Sequence, residues 1–203
     1  MRLGVMGGTF DPIHIGHLVT AEEARFQFGL ETVVFIPSAH PPHKTGDMQS
    51  PAGDRLRMVE LAIEGNPELA VSDLEILRPG LSYTIDTLRE LHRIHGAETE
   101  IYFMTGADAI LEILTWKDPE ELLMQGKFIA ATRPGYPLYK LAEALPEFNS
   151  AGEEAMKRVY AMEIPALAIS STDIRQRAAQ GRPFRYLVAE AVWTYIVERG
   201  LYR

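Results

Sequence analysis

Two histidines close behind a pair of glycines are the clearest candidates for chemistry in this sequence. Gly7 and Gly8 are followed by His14 and His17, which are three residues apart. Glycine has no Cβ, so the backbone can approach a ligand closely, and a helix start offers unpaired N–H groups and a partial positive charge to an anion. Histidines with this spacing share one face of a helix and can donate hydrogen bonds to the same phosphate. Gly16, which stands between them, leaves room for a base or ribose, so the segment predicts a nucleotide-binding turn.

Three alternatives for this segment are a turn that binds no ligand, another nucleotide-binding motif and a metal site. A glycine turn followed by two capping or surface histidines would need no ligand. The spacing is not the G-x-G-x-x-G of dehydrogenases, and G-x-x-x-x-G-K-[ST] occurs nowhere in the sequence. Together with His40 and His43 the pair could form a metal site, but no carboxylate stands at ligand spacing and cysteine is absent. We therefore predict phosphate binding and no metal ligands here.

Two further cations stand where a phosphate could be bound. Lys44 lies in a proline-rich loop after the second predicted strand and could reach a phosphate as a point charge; the alternative is a solvated loop lysine. Arg175 follows the string Ser170-Ser171-Thr172-Asp173, whose first and last residues fit a capping box. A cation near the positive end of its own helix is disfavoured. A bound phosphate would offset this, whereas the alternative is a surface arginine.

Three more positions could contact a nucleotide. Thr84 lies in a hydroxyl-rich helix start, where capping explains at least part of the pattern. Asp108 follows the predicted strand 100–104 and could bind ribose hydroxyls or cap the next turn. Trp116 is either part of the core or a stacking platform, and polar neighbours such as Lys117 favour partial exposure.

Short apolar runs alternate with segments of helical periodicity along the chain. Strands are predicted at 3–6, 32–36, 69–72, 100–104, 128–132 and 159–163. Helical segments are predicted at 18–28, 56–66, 85–95, through 114, and at 119–124, 137–145, 171–180 and 188–199. This alternation predicts an α/β, Rossmann-like fold, with a mostly parallel sheet covered by helices on both faces. With no repeat or linker, we expect a single domain over residues 1–203.

The bulk composition limits the class of protein. The 203 residues are 46% hydrophobic, which suffices for one core, and their formal charge of −8 argues against a general nucleic-acid binder. The absence of cysteine excludes disulfides, thiolate metal sites and a cysteine nucleophile. The N-terminus reaches Asp11 too soon for a signal peptide, and no run approaches the roughly 18 apolar residues of a membrane span. We expect a cytoplasmic protein without nucleic-acid or membrane partners, for which a homo-oligomer is allowed.

Taken together, the motifs resemble a known enzyme family. His14-Ile15-Gly16-His17 is similar to the T/H-x-G-H signature of the nucleotidylyltransferase superfamily, related to the HIGH motif of class I aminoacyl-tRNA synthetases. A synthetase is excluded because 203 residues leave no room for a tRNA-binding domain. The stretches 7–17, 37–44, 82–88, 106–108 with Trp116, and 169–175 resemble the bacterial nicotinate-nucleotide adenylyltransferase family. The first and last identify only the superfamily; the others identify the family.

The resemblance implies a HIGH-type nucleotidylyltransferase fold, in which nicotinate mononucleotide attacks the α-phosphorus of ATP without a covalent enzyme intermediate. It also implies Mg²⁺, bridging the ATP phosphates mostly through water. The catalytic residues at the triphosphate are then His14, His17, Lys44 and Arg175. Contacts to ATP and its phosphates are expected from Gly7, Gly8, Thr9, Phe10, Gly106, Ser170, Ser171 and Thr172. Contacts to the mononucleotide are expected from Thr84, Asp108, Trp116, Lys117 and Arg133.

For the mononucleotide, the same resemblance implies a division of roles. Trp116 would stack on the pyridine ring, Asp108 would bind ribose, and Arg133 would contact phosphate. Thr84 would meet the pyridine carboxylate, at a helix start that we expect to present only hydrogen-bond donors.

Three alternatives to this function remain open at the level of sequence. A sibling enzyme could use nicotinamide mononucleotide or pantetheine phosphate as the acceptor. A nucleotide sensor could bind ATP without turnover. A metal-dependent hydrolase would require a tightly bound transition metal.

Overall fold

A six-stranded, wholly parallel sheet runs through the middle of the protein. The computed structural model describes residues 1–42, 50–132, 157–165 and 168–203. The strands are β1 (Arg2–Gly8), β2 (Thr32–Pro37), β3 (Leu69–Val71), β4 (Glu100–Gly106), β5 (Lys127–Thr132) and β6 (Val159–Glu163). They lie in the order β3-β2-β1-β4-β5-β6. The predicted Rossmann-like α/β fold is confirmed.

Helices connect these strands. In the described ranges they are α1 (Ile15–Phe28), α2 (Ala52–Ile63), α3 (Leu74–Leu77), α4 (Thr84–His95), α5 (Ala107–Leu111), α6 (Pro119–Gln125), α7 (Ser171–Ala179) and α8 (Glu190–Arg199), with 3₁₀ turns at Ile113–Thr115 and Arg185–Leu187. The one-turn helix α3 was not predicted, and the helix predicted at 137–145 falls outside the described residues. None of the helices in these ranges is both long and apolar enough to cross a membrane.

Successive residues of each strand face opposite layers, as the two-residue period of a strand requires. In β1, Val5 packs with α4, α5 and α6, whereas Met6 packs with α1, α2, α7 and α8. In β2, Phe35 and Ile36 divide between the two layers in the same way. Both faces of the sheet are therefore covered, which explains why the strand sequences are apolar at consecutive positions.

The chain reverses its direction across the sheet at β1. The strands β2 and β3 extend to one side of it, and β4, β5 and β6 extend to the other. Parallel sheets of this type form a crevice at the carboxyl ends of the two strands that flank such a reversal. Here these ends are Gly8 of β1 and Gly106 of β4. The crevice is thus lined by residues that the sequence singled out.

Candidate active site

His14 and His17 form a stacked pair at the start of α1. His14 is the N-cap residue, and the two ring centroids are 3.7 Å apart with 23° between the ring planes. The backbone N–H of His14 donates to Nδ1 of His17 at 3.2 Å. A neutral His17 therefore carries its proton on Nε2 and presents a donor on that side of the ring. The ring of Phe10 meets His17 edge-on at 5.1 Å and fixes its other side.

The glycine between the histidines is required by the pair itself. A Cβ at Gly16 would lie 3.1 Å from both Cε1 and Nδ1 of His14, closer than such contacts normally come. A Cβ at Gly53, by contrast, would meet nothing within 4 Å. The sequence suggested that Gly16 makes room for a ligand; in the structure it first makes room for the imidazole of His14.

Burial keeps His14 neutral. The residue is only 8% exposed, and burial lowers the pKa of its imidazole from 6.5 to about 4. Its Nδ1 is buried, with no hydrogen-bond partner in the described structure. At neutral pH, His14 is therefore a hydrogen-bond donor through one ring nitrogen rather than a cation.

The start of α7 is bonded to the loop between β1 and α1. Nη1 of Arg175 donates to the backbone oxygen of Asp11 at 2.8 Å, and the hydroxyl of Ser171 donates to that of Pro12, also at 2.8 Å. Nε of Arg175 is buried, with no partner among the described groups. Arg175 is therefore not a surface arginine, because its guanidinium is tied to the histidine-bearing loop.

The hydroxyls at this helix start have internal partners. Oγ of Ser170 accepts from the backbone N–H of Asp173 at 3.1 Å, which confirms one half of the predicted capping box; the Asp173 carboxylate instead accepts from Nε of Arg177 at 2.7 Å. Thr172 accepts from Nη2 of Arg175 at 3.4 Å. Ser171 donates its hydroxyl hydrogen to Pro12, whereas Ser170 and Thr172 only accept in these bonds and each keeps an O–H that can donate to a phosphate.

Two cavities meet at the carboxyl end of β1. The first, which we call the histidine cavity, measures about 460 Å³ and is lined by His14, His17, Gly106 and Asp108. The second, which we call the tryptophan cavity, measures about 330 Å³; predicted site residues on its wall are Gly8, Thr9, Thr84, Trp116 and Lys117. Gly7 and Thr105 line both cavities. Two ligands can therefore lie on either side of these residues, with their reacting ends close together.

The tryptophan cavity is built from the start of α4 and the segment before α6. Trp116 is half-buried and lies edge-on against Phe103, with ring centroids 6.2 Å apart, so part of its ring stays accessible. Lys117 bonds to Asp86 at 2.9 Å and lies over the ring of Tyr83. These contacts join the segment that carries Trp116 to the helix that carries Thr84.

The hydroxyl of Ser82 ties a loop to the same helix start. Its Oγ accepts from the backbone N–H groups of Ala39 at 3.1 Å and His40 at 3.3 Å. Ser82 thus connects the segment after β2 to α4. Part of the hydroxyl cluster therefore serves loop attachment, a role for which the sequence pattern carries no signal.

A buried carboxylate also lines the tryptophan cavity, and no motif in the sequence points to it. Glu75 of α3 is 5% exposed; its Oε1 accepts from the Thr87 hydroxyl at 2.6 Å and lies 3.9 Å from Nη2 of Arg78. Its Oε2 has no hydrogen-bond partner in the described structure. The expectation of a cavity wall made only of donors is therefore wrong, because one acceptor group stands behind the start of α4.

The structure separates Asp108 from the residues expected with it, and it leaves Phe10 its backbone as the expected contact. Asp108 was expected with the mononucleotide residues, yet it lines the histidine cavity, because α5 begins directly at the end of β4. The ring of Phe10 is 2% exposed and belongs to the core, so only its backbone could meet a ligand. Lys44 and Arg133 lie outside the described residues.

Comparisons with known proteins agree on one family. A cytidylyltransferase-like family model matches residues 5–177. A protein of Moorella thermoacetica is 54% identical over 202 residues, covering 100% of this chain and 92% of the relative. One of Desulfitobacterium hafniense (strain DSM 10664 / DCB-2) is 50% identical over 206 residues, covering 100% and 96%. Both are named "Probable nicotinate-nucleotide adenylyltransferase".

A solved structure shares the fold. The Plasmodium falciparum nicotinic acid mononucleotide adenylyltransferase complexed with NaAD superposes with a TM-score of 0.77. The alignment covers 99% of this chain and 97% of that one, at 20% sequence identity. At this identity the likeness concerns the arrangement of strands and helices.

The buried His14 predicts a specific dependence of stability on pH. Its pKa is about 4 when folded and about 6.5 when unfolded, so the unfolded chain binds the extra proton between these values. The free energy of unfolding should fall as pH is lowered from 6.5 towards 4, by at most about 3 kcal/mol from this group. Urea unfolding at several pH values would measure it. His14→Gln should remove this part of the slope, and His95→Gln, at an exposed position, should not. Equal slopes in the wild type and His14→Gln would contradict the burial argument.

Proposed function

Because the chain belongs to the nicotinate-nucleotide adenylyltransferase family, we propose that it transfers the adenylyl group of ATP to nicotinate mononucleotide. The products are nicotinate adenine dinucleotide and pyrophosphate. The observation that carries this proposal is the pair of cavities sharing Gly7. ATP would occupy the histidine cavity and the mononucleotide the tryptophan cavity, so that the acceptor phosphate and the α-phosphorus meet at the end of β1.

The chemistry requires little covalent participation from the protein. An oxygen of the acceptor phosphate forms a bond to the α-phosphorus, and the bond from that phosphorus to the bridging oxygen of the β-phosphate breaks, so pyrophosphate leaves with the bond's electrons. Catalysis of such a transfer rests on alignment and on stabilising negative charge. Nε2–H of His17 and the buried ring of His14 are preorganised donors for this charge.

Cations complete the triphosphate site in this proposal. Arg175 supplies a positive charge from the start of α7, held in place by its bond to Asp11. Lys44 would approach from the loop after β2; Pro41 and Pro42, which shortly precede it in the sequence, line the tryptophan cavity and support this role. Thr9 and the backbone from Gly7 to Phe10 would hold the reacting phosphates. Asp108, at the mouth of the histidine cavity, would bind a ribose of ATP.

In the tryptophan cavity, the proposed contacts recognise the pyridine ring of the acceptor and the negative charge of its carboxylate. Trp116 would stack on the pyridine ring, and Thr84 with the N–H groups at the start of α4 would bind the carboxylate. Glu75 would disfavour an anion if it stood alone, but Thr87 and Arg78 contact its carboxylate and offset its charge. Lys117 and Arg133 would add positive charge near the acceptor.

Mg²⁺ is the proposed cofactor and would neutralise charge on the ATP phosphates. Within the part of the chain that the structure describes, no three His, Asp or Glu side chains cluster in a way that could hold a metal ion. This donor set fits an ion carried by the ATP phosphates and water, as Mg²⁺ sites commonly are. Asp108 is the carboxylate best placed to bind one of those waters.

The proposed setting of the enzyme follows from composition. The lack of cysteine is compatible with a reducing compartment and supports a cytoplasmic location. The formal charge of −8 supports small nucleotides rather than nucleic acid as partners.

The activity is tested by pyrophosphate release from ATP and Mg²⁺ with nicotinate mononucleotide, nicotinamide mononucleotide or pantetheine phosphate. We expect the nicotinate acceptor to be preferred over its amide by several powers of ten in kcat/KM, since the Thr84 hydroxyl and the N–H groups at the start of α4 can all donate to a carboxylate but cannot pair with an amide NH₂. Thr84→Ala should reduce this preference. Trp116→Ala should weaken both pyridine acceptors alike, because stacking does not sense the substituent. A wild-type protein that uses acid and amide equally well would contradict this description of the cavity.

His17→Ala should lower kcat much more than it weakens ATP binding. The loss of one preorganised donor to developing charge costs about 100- to 1,000-fold in kcat. Steady-state kinetics together with ATP titration calorimetry would separate the two effects. His95→Ala removes an exposed histidine far along α4 and serves as the control. Near-normal turnover by a folded His17→Ala protein would exclude the assignment.

Arg175→Lys should impair the reaction although the charge is kept. The N–H donors of an ammonium all lie on one nitrogen, so they cannot span the backbone oxygen of Asp11 and a phosphate as the separated nitrogens of a planar guanidinium can. We expect a rise in KM for ATP or a fall in kcat on the order of tenfold. Arg182→Lys changes an exposed arginine just beyond α7 and is the matched control. Wild-type kinetic constants for Arg175→Lys would show that the fork is not used.

A further inference from the structure

Buried polar side chains hold the loop between β1 and α1 although they line neither cavity. Arg55 of α2 is 1% exposed; its Nη1 donates to the backbone oxygen of Thr9 at 2.7 Å and its Nε to that of Ser50 at 3.3 Å. The hydroxyl of Tyr202 donates to Oδ1 of Asp11, itself 2% exposed, at 2.7 Å. We call Arg55, Asp11 and Tyr202 the brace. The brace holds the loop at Thr9 through Arg55 and at Asp11 through Tyr202.

Arg55 and Tyr202 each need the carboxylate of Asp11 as a partner in the buried interior. A fully buried guanidinium is costly unless an opposite charge and hydrogen bonds compensate it. Burial lowers the pKa of Arg55, and the attraction of Asp11 opposes this effect. Burial and the nearby Asp11 raise the pKa of Tyr202, so its hydroxyl stays protonated and remains a donor. Arg55 and Tyr202 thus both depend on Asp11.

Two residues with strained backbone conformations show how firmly the packing holds the brace. Tyr202 and Phe10 have φ of 66° and 50°, in the left-handed region that residues with a Cβ disfavour. Phe10 lies between the two loop residues that the brace binds. Such conformations persist when the surroundings over-determine them, and here the surroundings are the core around Phe10 and the bonds to Thr9 and Asp11.

The brace also shares its loop with the active site. Arg175 binds the backbone oxygen of Asp11, whose side chain Tyr202 binds. His14 is three residues further along the chain. A displacement of Asp11 would therefore move Arg175 and the stacked histidines together, and misplacement by about 1 Å can cost on the order of 100-fold in rate.

We infer that Tyr202 and Arg55 are positioning residues for adenylyl transfer, acting through Asp11 and Thr9 on the loop that carries His14. The inference rests on the proposed function for its kinetic consequence, although the conformation of the loop can be tested without it. Tyr202 lines neither cavity among the residues described. Through Asp11 it would nevertheless set the geometry of the phosphate site.

The test is Tyr202→Phe, which removes one hydroxyl and keeps the ring in its place. We expect kcat to fall about tenfold, with KM for nicotinate mononucleotide changed much less, because its proposed contacts Thr84 and Trp116 lie on elements other than the loop that Asp11 belongs to. Amide hydrogen exchange in residues 9–14 should become faster, measured by mass spectrometry, while exchange in α4 stays as in the wild type. Tyr186→Phe removes the hydroxyl of a tyrosine that is 86% exposed and is the matched control.

The outcomes separate the brace from general stability and from the proposed activity. Unchanged kcat with unchanged exchange in residues 9–14 would overturn the inference, as would a loss of kcat that disappears once rates are expressed per folded molecule. If the wild type forms no dinucleotide, the proposed function fails. The exchange comparison then decides on the brace alone: faster exchange in Tyr202→Phe supports it, and equal exchange rejects it.

Discussion

The lack of space at the carboxyl end of β1 is the constraint on which the active site depends. A Cβ at Gly7 would lie 3.0 Å from the ring of Phe103, and one at Gly8 would lie 3.0 Å from the ring of Phe10. Because these positions carry no side chains, aromatic rings from both layers pack directly against the strand end. The loop that follows is therefore held in place by the core. His14 and His17, at the end of this loop, are held in place with it.

The same loop is the meeting point of segments that are far apart in the chain. Arg55, Arg175 and Tyr202 each bond to it, at separations of 46, 164 and 191 residues respectively. Backbone oxygens accept two of these bonds and a carboxylate accepts the third. Since these contacts come from α2, α7 and the segment after α8, they require distant parts of one helical layer to be packed on the sheet before the loop is held in place.

The sequence predicted the parts of this structure that have a repeating or local signal. Each of the six strands lies where apolar runs indicated, and Gly29 ends α1 in the left-handed conformation that a C-terminal glycine favours. The four-residue helix α3 is too short to show a helical period, so it was missed, and Glu75 with it. Buried charges such as Arg55 follow no periodic pattern at all; their partners come from distant segments. A polar tyrosine near the terminus gives no local hint that Asp11 is its partner.

The position of Gly7 between the two cavities affects product release in the proposed reaction. In the proposed arrangement each substrate would occupy one cavity, whereas the dinucleotide would place one half in each and so behave as a bivalent ligand. When one half dissociates, the other holds it nearby at a high effective concentration, and rebinding competes with escape. Pyrophosphate, which is held on one side only, lacks this tether. If the two substrates bind on either side of Gly7 as proposed, their alignment would therefore also slow the departure of the dinucleotide relative to that of pyrophosphate.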